Sequence, residues 1–270
     1  MNNSIAFVGA GKMVSAIVHS LLRSESFPSS QICCCSAKDG TSEKLAQTTG
    51  ITRFDTVEEM LTTKPSVLVL GCKPQQLGEL PPSVAEQSSN CLILSIMAGI
   101  TLSRLSQVFP NARNIVRSMP NTPGQIGQGV TGYFFYNTPK QGDSELINII
   151  LSSLGPAYQL IEEADLDRVT AISGSGPAYV FEFTCALEEA ARAIGLSSKL
   201  AKELALQTVT GSARLMESSE FHPKELRDQV TSPNGTTQAA LESFSADELR
   251  TIVRHAVEAA RARSIELSGE

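Results

Sequence analysis

Short apolar runs that alternate with helical stretches constrain the fold of the first half of this chain most strongly. The runs lie in the segments SIAFVG, QICCCS, PSVLVLGCKP, NCLILSIMAG and ARNIVRSMPNTPG. Strands with unbroken apolar sequence are typical of a parallel sheet that is covered by helices on both faces. We therefore predict an α/β architecture with a mostly parallel sheet for this half.

The second half of the chain shows helical periodicity alone. Its segments EADLDRVTAISGSGPAYVFEFTCALEEAARAIG, LAKELALQTVTGSARLME and ADELRTIVRHAVEAARARSIEL contain no convincing strand. The pattern predicts an α/β domain over residues 1–162 and an all-α domain over residues 163–270. Because the helices have long apolar faces and few aromatic residues, we expect a partner copy of the chain to bury those faces in a homo-oligomer.

Composition excludes several classes of function. The net charge is −6, whereas nucleic-acid binding needs a cationic face. Tryptophan is absent, so no aromatic platform for stacking bases is expected. No apolar span approaches the ~20 residues of a transmembrane helix, and the N-terminus begins with a strand instead of an export signal. The six cysteines and three histidines lack metal-ligand spacing, so we expect no metal site, and free thiols indicate a reducing cytoplasm.

The segment VGAGKMV follows the first strand and gives the first indication of a ligand. Gly9 would permit a tight turn, and Gly11 would let a pyrophosphate approach free N–H groups where a helix begins. The alternative is an ordinary glycine turn between a strand and a helix. A dinucleotide-binding Rossmann-like turn is favoured by the strand before it and the helix after it. The predicted cofactor contacts here are Gly9, Ala10, Gly11, Lys12 and Met13.

The end of the second strand bears on which dinucleotide binds. NAD enzymes tend to place an acid there to hold the ribose 2′-hydroxyl, but this segment reads CCCSAKDG. A hydroxyl from Ser36 and an ammonium from Lys38 would hold a 2′-phosphate, which favours NADPH, with NADH also possible. Asp39 is the objection, although Asp39-Gly40 is also a common turn dipeptide.

Two later strands should end at the same edge of the sheet, where ligands bind in such folds. The residues at these ends are Cys72, Lys73 and Pro74 after one strand and Ala98 and Gly99 after the other. Lys73 is open to two interpretations, a solvated surface lysine or a contact near the nicotinamide. We include all five residues in the predicted cofactor site.

Three further segments complete a pattern that resembles a known family. They are MPNTPG, SGSGPAY and VTSPNGTTQAAL, and with the glycine turn and CKP they resemble pyrroline-5-carboxylate reductase. The resemblance runs from Ile5 to about Leu267, and the Ser-Pro-x-Gly-x-Thr stretch is its most specific part. It implies a small-molecule substrate, hydride transfer from NADPH to the C=N bond of 1-pyrroline-5-carboxylate, and L-proline as the product. It also implies a homo-oligomer of interleaved dimers, with each site partly built across the dimer.

The resemblance also implies roles for individual residues. Backbone amides near Asn234, Gly235 and Thr236 would hold the substrate carboxylate, and Ser232 would help to shape that site. Thr237 would place its hydroxyl beside the ring nitrogen, and Glu220 would lie near the site and tune or relay protons. On the nicotinamide side the resemblance places Asn121 and Thr122.

The residues by themselves leave alternatives open at each of these positions. Thr236 or Thr237 could cap the helix that follows, Glu220 could be a solvated carboxylate at a helix end, and PNTP could be a rigid turn. His222, followed by a proline, is read as a helix break and not as a catalytic acid. Rival functions are a related imine or 3-hydroxyacid dehydrogenase and a non-catalytic NADP-binding protein.

The sequence departs from the family pattern at three places. Val14 replaces a small residue and should push the first helix slightly off the sheet. The segment GCKP replaces an apolar pair before Lys73, and SADELR stands where a Gly-Phe-Arg ending is expected. None of these departures removes a residue that is assigned to the chemistry.

Overall fold

The computed structural model describes residues 3–269, and its centre is an eight-stranded sheet. The strands lie in the order β3-β2-β1-β4-β5-β6-β7-β8, and every neighbouring pair is parallel except β6 and β7. The strand bounds are β1 Ile5–Val8, β2 Ile32–Cys35, β3 Thr52–Arg53, β4 Val67–Leu70, β5 Leu92–Ser95, β6 Asn114–Met119, β7 Thr131–Phe135 and β8 Ala157–Gln159. The predicted α/β class with a mostly parallel sheet is confirmed.

Helices connect the strands and fill the second half of the chain. In the first half they are α1 Lys12–Arg23, α2 Thr41–Thr49, α3 Val57–Leu61, α4 Pro82–Gln87, α5 Leu102–Val108 and α6 Gln141–Ser152. In the second half they are α7 Asp165–Val169, α8 Gly176–Ala193, α9 Ser198–Ser218, α10 Pro223–Gln229, α11 Thr236–Ala246 and α12 Leu249–Ser268. A short π-helical segment, Thr170–Gly174, follows α7. The prediction of helices without strands in the second half is confirmed for the described residues.

The strands β1, β2, β4 and β5 are buried on both faces of the sheet, as their apolar sequences predict. Ile5 and Phe7 of β1 belong to one apolar cluster, which includes Ile17 of α1. Ala6 and Val8 belong to a second cluster on the opposite face. Since successive side chains of a strand point to opposite faces, a strand covered on both sides must be apolar at every position.

A side-chain hydrogen bond connects α12 to α7, and ion pairs connect β6 to the residues around α7. Ser264 of α12 donates a hydrogen bond of 2.6 Å from its Oγ to Oδ1 of Asp167 in α7. Buried Arg117 of β6 donates to Glu163 at 2.7 Å and lies 3.8 Å from Asp167. Burying a charge is costly unless it is paired, so Arg117 depends on these two carboxylates.

The described residues form two compact units. One unit comprises residues 3–175 together with 260–269, and the other comprises residues 176–259. The second unit is entirely helical, and α8 and α9 pack against each other within it. The domain boundary that the sequence places between residues 162 and 163 stays a prediction.

Candidate active site

Gly9 and Gly11 form the turn between β1 and α1, and their surroundings differ. Gly9 has φ +99°, and a Cβ there would lie 2.6 Å from the carbonyl oxygen of Gly71. Its N–H donates to the carbonyl of Cys35 at 2.7 Å. Gly11 has open space, with no heavy atom within 4 Å of a Cβ built on it. Gly9 therefore closes the turn, and Gly11 leaves the backbone accessible.

The start of α1 fits the pyrophosphate of a dinucleotide. Gly11 is the N-cap residue, and no side chain caps the first turn of the helix. The N–H groups of that turn are thus free for an anion, and the helix dipole favours negative charge there. The open space above Gly11 is what a phosphate group needs to reach those N–H groups.

A cavity of about 530 Å³ opens at this turn, along the carboxyl ends of β1, β2 and β4. Ligands bind at this edge in open α/β sheets, next to the point where the strand order reverses. Here β1 lies between β2 and β4, so the reversal is at β1. The predicted cofactor residues that line the cavity are Gly9, Ala10, Gly11, Ser36, Cys72 and Lys73. Those that do not line it are Lys12, Met13, Lys38, Pro74, Ala98, Gly99, Asn121 and Thr122.

Four carboxylates that the sequence analysis did not assign also line the cavity. They are Asp39, Asp55, Glu58 and Glu79, and Lys73 is the one lysine among the lining residues. Asp55 is paired with Arg53 at 2.6 Å. Asp39 follows β2 in the segment CCCSAKDG, where it already counted against a 2′-phosphate, and its place after the strand is the sequence signal for this carboxylate.

Asp39 is held in place by its neighbours. Its Oδ1 accepts hydrogen bonds from the hydroxyl of Thr41 at 2.6 Å, from the amide of Thr41 at 3.0 Å and from Ser36 at 3.4 Å. The bonds from the Thr41 hydroxyl and amide, with a smaller contribution from Ser36, hold the pKa of Asp39 below its usual range. Gly40 is the N-cap of α2, with φ +79°, and Gly50 ends the helix.

Two cysteines in the cavity wall are neutral thiols. Burial raises the pKa of Cys35 and of Cys72. A neutral thiol is a poor nucleophile, so these side chains serve as apolar lining.

Val14 is accommodated by the residue that faces it. The side chain of Val14 is buried, and a Cβ at Gly71 would collide with Val14 Cγ2. The absence of a side chain at Gly71, just after β4, therefore provides the room that Val14 needs. This pairing explains how the glycine turn tolerates a branched residue where a small one is expected.

The segment MPNTPG contacts Ser173 and Gly174, the first two residues of SGSGPAY, within the first unit. The buried side chain of Asn121 donates to the carbonyl of Ser173 at 3.1 Å and accepts from the N–H of Val130 at 2.9 Å. A Cβ at Gly174 would lie 2.6 Å from Cε of Met119. Asn121 thus ties the loop after β6 to the π-helical segment, and its assignment to the nicotinamide, like that of Thr122, stays a prediction.

The loop SPNGTT lies in the helical unit between α10 and α11. Asn234 has φ +57°, and its N–H donates to Oε1 of Gln238 at 2.7 Å. The N–H of Gly235 donates to the carbonyl of Ser232 at 3.0 Å. Two of the three amides assigned to the substrate carboxylate therefore already have acceptors.

The free amides of this loop lie at the start of α11. Among the described residues, the N–H groups of Thr236 and Thr237 have no hydrogen-bond acceptor. The alternative that Thr236 or Thr237 caps the helix is wrong, because Gly235 is the N-cap and no side chain caps it. The hydroxyl of Thr237 is likewise without a hydrogen-bond partner in the part of the chain that the structure describes.

Glu220 and His222 lie before α10. His222 is the N-cap of that helix, and its Nδ1 accepts a hydrogen bond of 3.2 Å from the N–H of Lys224. This confirms that His222 marks a helix boundary. Glu220 is exposed and forms no ion pair with another described residue. Its assignment to proton relay stays a prediction.

Residues 3–269 contain neither a cluster of three or more metal-ligating side chains nor a helix that could span a membrane. No group of three or more histidine, cysteine, aspartate or glutamate side chains is placed to hold a metal ion. None of the helices in this range is both long enough and apolar enough to cross a membrane.

Comparison with known proteins identifies the family. Residues 4–99 match the family model described as NADP oxidoreductase coenzyme F420-dependent, and residues 163–267 match the model for pyrroline-5-carboxylate reductase dimerisation. The chain is 40% identical to pyrroline-5-carboxylate reductase of Pseudomonas aeruginosa over 98% of this chain and 96% of the relative. The chain belongs to the pyrroline-5-carboxylate reductase family.

Solved structures of pyrroline-5-carboxylate reductases support the same fold. The enzyme from Coxiella burnetii superimposes with a TM-score of 0.92 at 31% identity, covering 99% of each chain. The pyrroline carboxylate reductase from Plasmodium falciparum, which was solved with NADP bound, gives a TM-score of 0.83 at 30% identity, covering 99% of this chain and 98% of that one. The sequence-based resemblance is confirmed, and the helical region coincides with the dimerisation region of pyrroline-5-carboxylate reductases.

Proposed function

We propose that this chain reduces 1-pyrroline-5-carboxylate to L-proline with NADPH, the last step of proline biosynthesis. Membership of the pyrroline-5-carboxylate reductase family over nearly the full length supports the reaction. The observation on the molecule itself that carries the proposal is the open backbone at Gly11, where α1 begins without a side-chain cap. That arrangement is suited to the pyrophosphate of a dinucleotide.

The cofactor site is proposed to follow the edge of the sheet. Bound NADPH supplies a hydride. The chain holds its pyrophosphate at Gly9, Ala10 and Gly11, with Lys12 and Met13 at the start of the same helix. Ser36 and Lys38 would hold the adenosine ribose and its phosphate. The residues that would contact the nicotinamide are Cys72, Lys73, Pro74, Ala98, Gly99, Asn121 and Thr122.

The substrate site is proposed at the start of α11. The free N–H groups of Thr236 and Thr237 hold the substrate carboxylate, and Ser232, Asn234 and Gly235 shape the loop around it. The Thr237 hydroxyl contacts the ring nitrogen and orients the C=N bond. A protonated imine is already a good electrophile, so orientation and exclusion of water supply most of the rate. Glu220 is retained as a candidate for proton relay.

A homodimer is part of the proposal, because the helical region matches a dimerisation model. We propose further that the dimers interleave and that each active site includes residues of both copies, so that the dimer brings the cofactor and the substrate together. A cytoplasmic location is also proposed, supported by six cysteines that are all free thiols.

Thr237→Ala tests the role of the loop. The variant should lower kcat/KM for 1-pyrroline-5-carboxylate by roughly 10–100-fold, because a hydrogen bond to a charged group is lost. The Kd for NADPH, measured by fluorescence titration without the imine, should stay the same. Steady-state NADPH consumption at 340 nm gives the kinetic values, and a panel of other cyclic imines defines the substrate preference.

Thr48→Ala is the matched control. The Thr48 hydroxyl contacts the carbonyls of Lys44 and Leu45 within α2 and lies outside both proposed sites. Its removal should leave kcat/KM unchanged. Equal turnover of Thr237→Ala and the parent protein would show that the loop is only structural.

A further inference from the structure

The side chain of Glu163 joins β6 to the start of α5. Its Oε1 accepts a hydrogen bond of 2.7 Å from Nη1 of Arg117 and one of 2.8 Å from the backbone N–H of Leu102. Leu102 is the first residue of α5, where an N–H group has no acceptor within the helix. Glu163 therefore supplies, from outside the helix, the acceptor that the start of α5 lacks.

The carboxylate of Glu163 is itself held in place. Arg117 is 5% exposed and is paired in register with Ser95, the last residue of β5. Its Nη2 lies 3.8 Å from Oδ1 of Asp167, which accepts a hydrogen bond from Ser264 of α12. A buried guanidinium restrains the carboxylates around it, because an unpaired buried charge is costly. Glu163 is thus a fixed acceptor.

The turn between β5 and α5 ends at this contact. It comprises residues 96–101 and contains Ala98 and Gly99, the two residues of this turn that are proposed to contact the nicotinamide. Ala98 is exposed, whereas Gly99 has φ +72° and a Cβ there would lie 3.3 Å from the carbonyl oxygen of Leu267 in α12. The turn therefore contacts α12 at its middle and is anchored by Glu163 at its end.

We propose that Glu163 is a positioning residue for the nicotinamide: by holding the N–H of Leu102, it keeps the backbone of Ala98 and Gly99 in the position that hydride transfer needs. This inference rests on the proposed reductase function. Glu163 acts through the turn and not through a reacting atom. Since a displacement of about 1 Å can lower a rate by ~100-fold, a loosened turn should reduce kcat more than cofactor affinity.

Removal of the Leu102 N–H tests the contact without removing the ion pair. Leu102→Pro lacks this N–H, and proline fits the first position of a helix. Thr101 before it has ψ 158°, the extended backbone that a following proline favours. Leu102→Ala is the matched control, because it also truncates this buried side chain but keeps the N–H. Under steady-state conditions kcat should be roughly tenfold lower in Leu102→Pro than in Leu102→Ala, with less than about a threefold difference in KM for NADPH.

Glu163→Ala removes the acceptor itself, and Glu162→Ala is its control. Glu162 is the adjacent carboxylate and pairs with Arg168 at 2.7 Å, away from the turn. kcat should fall by roughly tenfold in the first variant and stay unchanged in the second. Thermal unfolding verifies that each variant is folded. Because Glu163→Ala leaves Arg117 with a single carboxylate, the Leu102 pair decides the question if that variant does not fold.

Hydrogen exchange of the amides of residues 97–101, followed by mass spectrometry, examines the turn without turnover. NADPH should slow exchange there in the parent protein. This protection should be lost in Leu102→Pro and Glu163→Ala and kept in both controls. Equal loss in Leu102→Pro and Leu102→Ala would overturn the inference, as would the absence of protection in the parent.

The two readouts separate this inference from the proposed reaction. Protection that depends on the Leu102 N–H, in a protein that does not reduce 1-pyrroline-5-carboxylate, would support the anchor and refute the reductase function. Reduction of that imine by Leu102→Pro, with the kcat and the protection of Leu102→Ala, would overturn the inference and leave the reaction intact.

Discussion

At the scale of single residues, the two glycines of the turn between β1 and α1 are required for different reasons, one for folding and one for binding. Gly9 is enclosed by the backbone of Gly71 and Cys72, whereas the space around Gly11 is open. A side chain at Gly9 would be excluded by the fold, and one at Gly11 would be excluded only by a ligand. The two glycines thus allow folding and binding to be tested independently.

Gly9→Ala should destabilise the protein and Gly11→Ala should not. The first change forces a Cβ to within 2.6 Å of a carbonyl oxygen at φ +99°, which should cost roughly 2–4 kcal/mol of unfolding free energy. The second change should cost about 1 kcal/mol or less. It should nevertheless weaken NADPH binding by about tenfold or more, since the methyl group occupies the space of the pyrophosphate. Urea unfolding and NADPH titration give the two quantities.

If Gly11→Ala and the parent protein bind NADPH with equal affinity, the turn is not part of the cofactor site. Gly142→Ala serves as the control for a general effect of the substitution. A Cβ at Gly142 has no neighbour within 4 Å. The residue lies at the start of α6 and is not part of the turn that contains Gly9 and Gly11.

At the scale of elements, the packing of α1 on the sheet depends on a complementary pair. Val14 on α1 fills the space that Gly71 leaves at the end of β4. Since protein interiors are closely packed, the size of one residue dictates the size of the other.

Gly71→Ala should therefore be destabilising by roughly 1–3 kcal/mol, because its methyl collides with Val14. Val14→Ala alone should also cost roughly 1–3 kcal/mol, because it leaves a cavity. The double variant should be less destabilised than the sum of the two, by about 0.5–3 kcal/mol. A double-mutant cycle of urea unfolding measures this coupling, and strict additivity would contradict the pairing.

Elements with unbroken apolar sequence were predictable, and short or exposed ones were not. The strands β1, β2, β4 and β5 are buried at every position, and β6 is buried at every position except Met119. The strands β3 and β8 have two and three residues, are at least partly exposed and lack that pattern. The strand β7 contains Gly132 and follows a Pro/Gly loop, so its sequence indicated a turn.

The sequence predicts those parts of the candidate site that depend on backbone geometry. The glycine turn and the loop SPNGTT have local sequence signals, because each needs particular backbone geometry. The carboxylates of Asp55 and Glu58 follow β3 and that of Glu79 follows β4, and only the strand order places these two connections in one cavity. A single sequence contains no local signal for such long-range proximity.

At the scale of the whole molecule, the helical unit presents a large apolar surface in one chain. Phe181 of α8 is 62% exposed, and Ile252 of α12 is 57% exposed. Residues 163–267 match a dimerisation model, so we propose that a second copy of the chain covers these faces. Burying them on association stabilises the dimer through the hydrophobic effect.

The central claim is that a hydride passes from the dihydronicotinamide to the C=N carbon of a small cyclic imine. NADPH that is stereospecifically deuterated at C4 of the nicotinamide, on each face in turn, tests it most directly. With 1-pyrroline-5-carboxylate, one of the two labels should appear at C5 of L-proline, as observed by NMR and mass spectrometry. Formation of no proline, or of proline without deuterium from either label, would contradict the account.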